Sequence, residues 1–168
     1  MISFNGLERM MLLDWLNYAL LGLLAIALLT AAFTDLRRRQ IDNWLNAAIA
    51  LTAPLYWLAA GMAPWPDIAI QVGFAIAVSA VLVGLWHFRL IGGGDIKLLG
   101  ALALWIAPAS YLTLLIVMAL TGGLLTIGIA AFHVMARRKG RPIIPYGIAI
   151  AVGGLWVLGV EHLPAGVV

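Results

Sequence analysis

Long runs of apolar residues, separated by short polar stretches, dominate this sequence. Most runs approach the roughly 20 residues that an α-helix needs to cross a bilayer. The runs are continuous, which disfavours a transmembrane barrel, because barrel strands of about ten residues alternate apolar with polar side chains. Six segments are therefore predicted as membrane helices: Leu16 to Phe33, Trp44 to Met62, Ile68 to Leu90, Ile96 to Ile106, Leu112 to Val134 and Ile148 to Val160.

The fourth segment is the shortest. It reaches the length of a span if its helix begins in the glycine run at Gly92 and continues through Pro108 to Tyr111. On that basis we expect an all-α polytopic membrane protein with six transmembrane helices. The spans and their short loops leave no room for a separate soluble domain, so residues 1–168 are predicted to form a single integral-membrane domain.

Composition supports this class and excludes others. Hydrophobic residues make up 64% of the chain and charged residues 10%, whereas soluble domains contain roughly 45–50% apolar residues. A water-soluble enzyme, a disordered regulator and a coiled coil are therefore excluded. The chain has no cysteine, which rules out disulfides, thiolate zinc sites and cysteine nucleophiles. We expect neither a cofactor nor a bound metal.

The basic residues indicate the orientation of the spans. They follow span one, lie between spans three and four, and lie between spans five and six, as Arg37, Arg38, Arg39, Arg89, Lys97, Arg137, Arg138, Lys139 and Arg141. Cytoplasmic loops collect Lys and Arg, so these connections are predicted to be cytoplasmic and both termini to lie outside. Basic residues in such loops indicate contact with the anionic inner leaflet rather than with nucleic acid.

Two acidic residues stand apart from the others. Asp35 lies where span one reaches the basic side, and Asp95 lies where span four enters from that same side. Topology alone therefore puts both carboxylates at one membrane depth, where spans one and four could bring them face to face. Ionisable groups at that depth are costly and usually face a bundle interior or a wet cavity.

The residues around these aspartates predict local structure. Asp95 follows the run Gly92 to Gly94, which allows backbone conformations closed to other residues. A helix entry there favours negative charge through its free N–H groups and its dipole. A polar stretch follows Asp35, and Asn43 is predicted to cap span two. Lys97 is expected to point away from Asp95 and to reach lipid headgroups.

Two motifs resemble those of a known family. The first, Gly92-Gly93-Gly94-Asp95 followed by Ile96-Lys97-Leu98, resembles the Gly-x-Gly-Asp motif of intramembrane aspartyl proteases, in the form seen in type IV prepilin peptidases. The second, Asp35-x-Arg37-x-x-x-Ile41-Asp42-Asn43, resembles the first aspartate motif of that family, and Pro145-Tyr146-Gly147 also fits. In particular, the chain resembles the short members that serve tight-adherence (Flp-type) pili. These lack the methyltransferase segment, with its Cys-x-x-Cys motifs, of longer members.

The resemblance implies an aspartyl endopeptidase of the bacterial inner membrane that removes the leader of type IV prepilins and pseudopilins at the cytoplasmic face. Besides the lipid bilayer, its implied partners are these substrates and other pilus-assembly proteins, with no nucleic acid. Two carboxylates sharing a proton can activate water and polarise a peptide carbonyl, and a coupled pair leaves open which one is ionised. The implied site residues are Asp35 and Asp95 as catalytic carboxylates, with Gly92, Gly94, Lys97 and Asn43 as motif support.

One departure from the family pattern adds a third acidic group. Asp42 stands where the family usually has proline, so it is a rival candidate for the first catalytic carboxylate. Asp35 is preferred because it lies at the helix end and matches the position that the family uses.

Two other functions are compatible with the carboxylates. In an ion- or proton-coupled transporter subunit they would bind the cation, since glycine-broken helices also occur near carboxylates in transporters. In a non-catalytic subunit of a secretion complex they would be dispensable. Against the transporter, the two carboxylates lie at one interface and not at the midplane, and no inverted repeat is evident.

Overall fold

A computed structural model describes residues 4–136 and 144–162, and all its regular elements in these ranges are helical. The loop residues Arg137, Arg138, Lys139 and Arg141 lie outside the described residues. Each of the six predicted segments overlaps a helix, which confirms the all-α class. The helices are α1 Phe4–Arg38, α2 Asn43–Ala59, α3 Ala69–His87, α4 Gly93–Leu102, α5 Pro108–Met135 and α6 Tyr146–His162, and a helical turn, Pro64–Ile68, leads into α3.

The helices differ in their capacity to cross a bilayer. Within the described residues, three stretches are long and apolar enough for this: Glu8–Arg38, Pro64–His87 and Pro108–Met135. The helices α2 and α6 have 17 residues each. With only 10 residues, α4 is about 15 Å long at 1.5 Å per residue, half of the roughly 30 Å hydrocarbon core.

The prediction that the fourth helix continues through Pro108 to Tyr111 is wrong. The helix α4 ends at Leu102, and Pro108 begins α5 instead. Proline disfavours the helical conformation for the residue before it, and Ala107 is accordingly extended, with φ −57° and ψ 146°. Residues 103–107 therefore form an irregular turn between the two helices.

Side chains from other helices bind the carbonyls that this break releases. Backbone carbonyls away from water need hydrogen-bond partners, and the donors here come from α2 and α3. Gln71 Nε2 donates to the oxygens of Ala103 and Ile106 (2.8 Å each), and Trp57 Nε1 donates to Leu104 O (2.8 Å). Tyr111 Oη of α5 adds a second hydrogen bond, at 2.9 Å, to Leu99 O, which already accepts from the Ala103 N–H. In return, Trp105 Nε1 donates to Ile49 O in α2 at 2.7 Å. The turn is thus tied to the surrounding helices by its main chain.

The short helix α4 lies at the centre of the bundle. It packs against α2, α3 and α6, while α6 also lies against α1 and α5. Its leucines Leu98, Leu99 and Leu102 are at most 1% exposed. In contrast, few apolar side chains of α3 and α5 are buried, and Leu124 of α5 is 73% exposed. Such broad apolar faces suit contact with lipid acyl chains.

Glycines let α6 approach its neighbours closely. A Cβ atom on Gly153 would lie 2.7 Å from the carbonyl oxygen of Leu114 in α5, and one on Gly154 would lie 2.9 Å from Leu28 Cδ1 in α1. Small residues at helix contacts are typical of membrane proteins. Because of them, the beginning of α6 reaches the end of α1, where Asp35 lies.

The hydrogen bonds of Gln71 should make a large contribution to stability. Replacing Gln71 with methionine keeps the chain length but leaves the carbonyls of Ala103 and Ile106 without their donor, at a cost of about 1–3 kcal/mol for each. We expect a lower thermal unfolding midpoint for the detergent-solubilised variant. Thr126→Val is the control, since Thr126 donates to Gly122 O within α5 and that carbonyl keeps its helical partner. Equal midpoints for the two variants would contradict this role of Gln71.

Candidate active site

A polar cavity of about 470 Å³ lies at the basic end of the bundle. It is formed where α1 ends and where α2, α4 and α6 begin. The other four predicted site residues are also found here: Asn43, Gly92 and Gly94 line the cavity, and Lys97 binds Asn43. The full lining is Asp35, Arg39, Gln40, Ile41, Asp42, Asn43, Gly92, Gly93, Gly94, Asp95, Ile144 and Tyr146. The structure therefore brings the two predicted carboxylates to one cavity.

Asp35 is held by the first turn of α6. Its side chain lies in the last turn of α1 and is 7% exposed. The backbone N–H of Gly147 donates to Asp35 Oδ2 over 2.7 Å. The first N–H groups of a helix have no partner within that helix, so Asp35 accepts from a group that would otherwise be free. The positive end of the α6 dipole also favours negative charge at this point.

Gly147 permits this contact because it has no side chain. A Cβ atom there would lie 2.8 Å from both Cβ and Oδ2 of Asp35. Real Cβ atoms do not approach other atoms this closely, so any other residue would displace the carboxylate. The predicted fit of Pro145-Tyr146-Gly147 to a motif thus has a physical reason, although the sequence did not indicate the contact with Asp35.

Asp95 lies in the first turn of α4, as predicted for a helix entry. Gly92 is the residue before the helix, and its Cα lies close to the Asp95 side chain, because a Cβ on Gly92 would be 2.8 Å from Asp95 Oδ2. This is the position from which an acidic side chain reaches back toward the cap of its own helix. The α4 dipole favours negative charge here, just as the α6 dipole does at Asp35.

The glycine run serves close packing rather than unusual backbone conformation. Gly92 has φ −66° and ψ 144°, which other residues adopt, and Gly93 and Gly94 begin α4. The expectation that the run uses conformations closed to other residues is therefore wrong. A Cβ on Gly94 would lie 3.4 Å from Ile41 Cβ, so its small size lets α4 begin against the α1–α2 loop.

Asn43 does not cap α2, which corrects a second expectation. It is the first residue of the helix, and Asp42 occupies the cap position with φ −65° and ψ 135° and no side-chain cap bond. The Asn43 side chain instead accepts a hydrogen bond from Lys97 Nζ at 2.7 Å. Lys97 thus joins α4 to α2 beside the cavity. Sequence spacing indicated that it points away from Asp95, but not which residue it binds.

The arrangement is suited to acid–base chemistry. Two carboxylates line one cavity: Asp95 lies in the first turn of α4, and Asp35 accepts a hydrogen bond from the first turn of α6. A pair of this kind can hold one proton between them, with one group as base and the other as acid. Within residues 4–136 and 144–162, no group of three or more His, Asp or Glu side chains could hold a metal ion.

Comparison with known proteins identifies similarity to leader peptidases. Residues 22–127, a stretch that includes Asp35 and Asp95, match the model of the type IV leader peptidase family. A prepilin leader peptidase/N-methyltransferase of Aeromonas salmonicida strain A449 is 32% identical over 149 residues, which cover 81% of this chain and 48% of that protein. A second protein of that name from Aeromonas salmonicida matches equally well.

The chain spans about half the length of these curated relatives. No solved structure gives a significant match to it. The family model nevertheless covers well over half of the residues, including both aspartate motifs. The chain therefore belongs to the type IV leader peptidase family.

Proposed function

We propose that this protein is an intramembrane aspartyl endopeptidase that removes the leader peptide of type IV prepilins and pseudopilins. The observation that carries the proposal is the position of Asp35 and Asp95 on one cavity at the basic end of the bundle. The relatives from Aeromonas salmonicida are named prepilin leader peptidases. Their name supplies the substrate class, and the two carboxylates supply the chemistry.

In the proposed reaction, the aspartates act on a water molecule in the cavity. The ionised carboxylate takes a proton from water while the oxygen of that water attacks the scissile carbonyl carbon. The protonated carboxyl donates a hydrogen bond to the carbonyl oxygen and stabilises the tetrahedral intermediate. The C–N bond then breaks as a proton passes to the leaving amine, which yields a free carboxylate and a new N-terminus. The Gly147 N–H holds Asp35 in position through the cycle.

The proposed setting is the bacterial inner membrane, which the chain crosses six times as one peptidase domain. The fourth pass consists of α4 and the turn after it, enclosed by protein, where irregular backbone is tolerated. A prepilin has a basic leader in the cytoplasm and an apolar helix in the membrane. Its cleavage point then lies at the depth of the two aspartates. Other pilus-assembly proteins are further proposed partners.

This topology can be tested with reporter fusions. Because Lys and Arg mark cytoplasmic loops, we expect the loops Asp35 to Asn43, Phe88 to Asp95 and Ala136 to Pro145 to be cytoplasmic. A phosphatase fusion should be active at Trp65 and at the C-terminus, and inactive at Lys139. A cytoplasmic signal at the C-terminus would contradict both the six passes and the orientation.

The roles of the aspartates can be tested by removing one proton site at a time. Asp35→Asn and Asp95→Asn should each abolish processing of a co-expressed prepilin while membrane insertion persists, because asparagine keeps the shape of the side chain but cannot cycle a proton. The double variant should be no worse than either single one, since the pair acts as a unit. Processing is read from the size and N-terminus of the pilin.

Asp42→Pro supplies the matched control for a third carboxylate on the same cavity. Proline fixes φ near −65°, the value that Asp42 already has, so folding and cleavage should persist.

The rate of the wild-type protein should fall at both low and high pH. At low pH both carboxyl groups of the pair are protonated, and at high pH both are ionised, so neither state has one acid and one base. Cleavage by an inserted Asp35→Asn or Asp95→Asn variant, or its loss in Asp42→Pro alone, would refute the assigned pair.

Gly147→Ala should lower processing without removing a functional group. The added methyl would overlap the Asp35 carboxylate, and a misplacement of about 1 Å can cost about 100-fold in rate. Gly128→Ala in α5 is the control, because nothing lies within 4 Å of a Cβ there. Wild-type kcat in an inserted Gly147→Ala variant would show that the close contact does not position Asp35.

A further inference from the structure

A second cavity, of about 540 Å³, lies between α2, α3 and α4. Its walls are mostly apolar, and its polar side chains are those of Asn43, Asn46, Ser79 and Lys97. Asn43 lines both this cavity and that of the two aspartates. The two spaces therefore adjoin at the first turn of α2. We call the second cavity the α2–α4 groove.

The side chain of Asn46, which lines the groove, has unmet hydrogen-bonding capacity. The residue is 5% exposed, and neither its side-chain oxygen nor its nitrogen has a hydrogen-bond partner among the described residues. Buried amides in native structures nearly always have a partner. An asparagine amide carries both an acceptor and donors, which complement the N–H and C=O groups of a peptide main chain.

We propose that the α2–α4 groove binds the apolar segment of the substrate that follows the scissile bond, in extended form, with the Asn46 amide hydrogen-bonded to its main chain. This inference rests on the proposed function, because it takes a peptide as the substrate. A helical peptide bond has its carbonyl bonded to an N–H four residues later. Cleavage requires local unwinding, and the main-chain groups then released away from water need new partners.

The dimensions of the groove fit a few extended residues. Asn46 lies three residues after Asn43, or about 4.5 Å farther along α2 at 1.5 Å per residue. Ala50, at the deep end, lies about 10 Å beyond Asn43 on the same basis. An extended peptide advances about 3.3 Å per residue. A chain that leaves the aspartates past Asn43 therefore reaches Asn46 within two residues and fills the groove with about three.

Charge determines which side of the substrate enters the groove. With one proton held by the pair Asp35 and Asp95, the cavity of the aspartates carries two negative charges against the one positive charge of Arg39, and this balance favours a basic leader. Lys97 lies at the mouth of the groove with its Nζ bound to Asn43 Oδ1 at 2.7 Å. A cation there opposes the entry of Lys or Arg side chains, as like charges do at selective interfaces. The apolar segment is thus directed into the groove and the leader away from it.

The role of Asn46 can be separated from a structural role by kinetics. Asn46→Leu should raise KM for a prepilin about tenfold, the effect of losing main-chain hydrogen bonds. Its thermal unfolding midpoint should stay the same or rise, because the variant removes a buried amide without partners. Asn17→Leu is the matched control, since Asn17 Oδ1 is also buried without a partner but lines neither cavity. A wild-type KM for Asn46→Leu would overturn the proposal.

Photo-crosslinking tests the groove without relying on cleavage. A photoreactive residue replaces Val83, which lines the groove, or Val81, which lies two residues away on α3 and does not line it. Both are exposed, at 52% and 64%, so both should accept a larger side chain. With the Asp95→Asn variant and a full-length prepilin, we expect an adduct at Val83 and none at Val81.

Crosslinking and the aspartate variants together distinguish a failure of the groove proposal from a failure of the proposed function. If Asp35 and Asp95 prove essential but no adduct forms at Val83, or adducts form at Val81 alone, the groove is not the binding site. If both single aspartate variants cleave normally, the proposed catalytic pair is wrong even where an adduct forms at Val83. An adduct at Val83 together with a raised KM for Asn46→Leu supports the groove as the substrate site.

Discussion

The buried break after α4 is the constraint on which the rest of the structure depends. A helix of 10 residues that ends inside an apolar bundle releases carbonyls where water cannot bind them. Gln71 of α3 and Trp57 of α2 bind these carbonyls, and Tyr111 of α5 adds a hydrogen bond to the Leu99 carbonyl within α4. The same bonds fix the position of α4 relative to α2, α3 and α5. Since Asp95 lies in the first turn of α4, they also fix one half of the candidate site.

The other half depends on how closely α6 approaches α1. Glycines along α6 bring its backbone against both neighbours, and at Gly147 the approach becomes a hydrogen bond to Asp35. Asp95 thus lies at the N-terminus of its own helix, α4, and Asp35, at the end of α1, lies against the N-terminus of α6. The N-terminal ends of α4 and α6 favour negative charge at these two carboxylates through their dipoles and free N–H groups. A lysine or arginine bound directly to either carboxylate would instead hold it ionised and prevent proton exchange.

Sequence reasoning predicted the helices and the shared cavity of Asp35 and Asp95, because apolar runs and basic loops report depth in a membrane directly. It failed where three-dimensional packing decides. Pro108 was expected within a helix, yet it begins a new one. The turn before it can be buried because donors from other helices, such as Gln71, bind its carbonyls, and sequence alone does not show those contacts. Asn43 was expected to cap α2, but Lys97, distant in sequence, binds its side chain. The glycine run was ascribed to backbone freedom, whereas its role is to admit neighbouring atoms.

The position of the cavity at the end of the bundle reconciles two opposing demands on the proposed peptidase. A substrate with an apolar helix must be recognised by apolar surface, which is the role proposed for the α2–α4 groove, while hydrolysis consumes water and exchanges protons. At the bilayer midplane the second demand could not be met, because water and charged groups are costly there. At the basic end of the bundle, which the proposed topology puts at the cytoplasmic face, the aspartate cavity lies within reach of water, and the groove extends from it into the bundle. The depth of Asp35 and Asp95 is therefore as much a part of the proposed chemistry as their carboxyl groups.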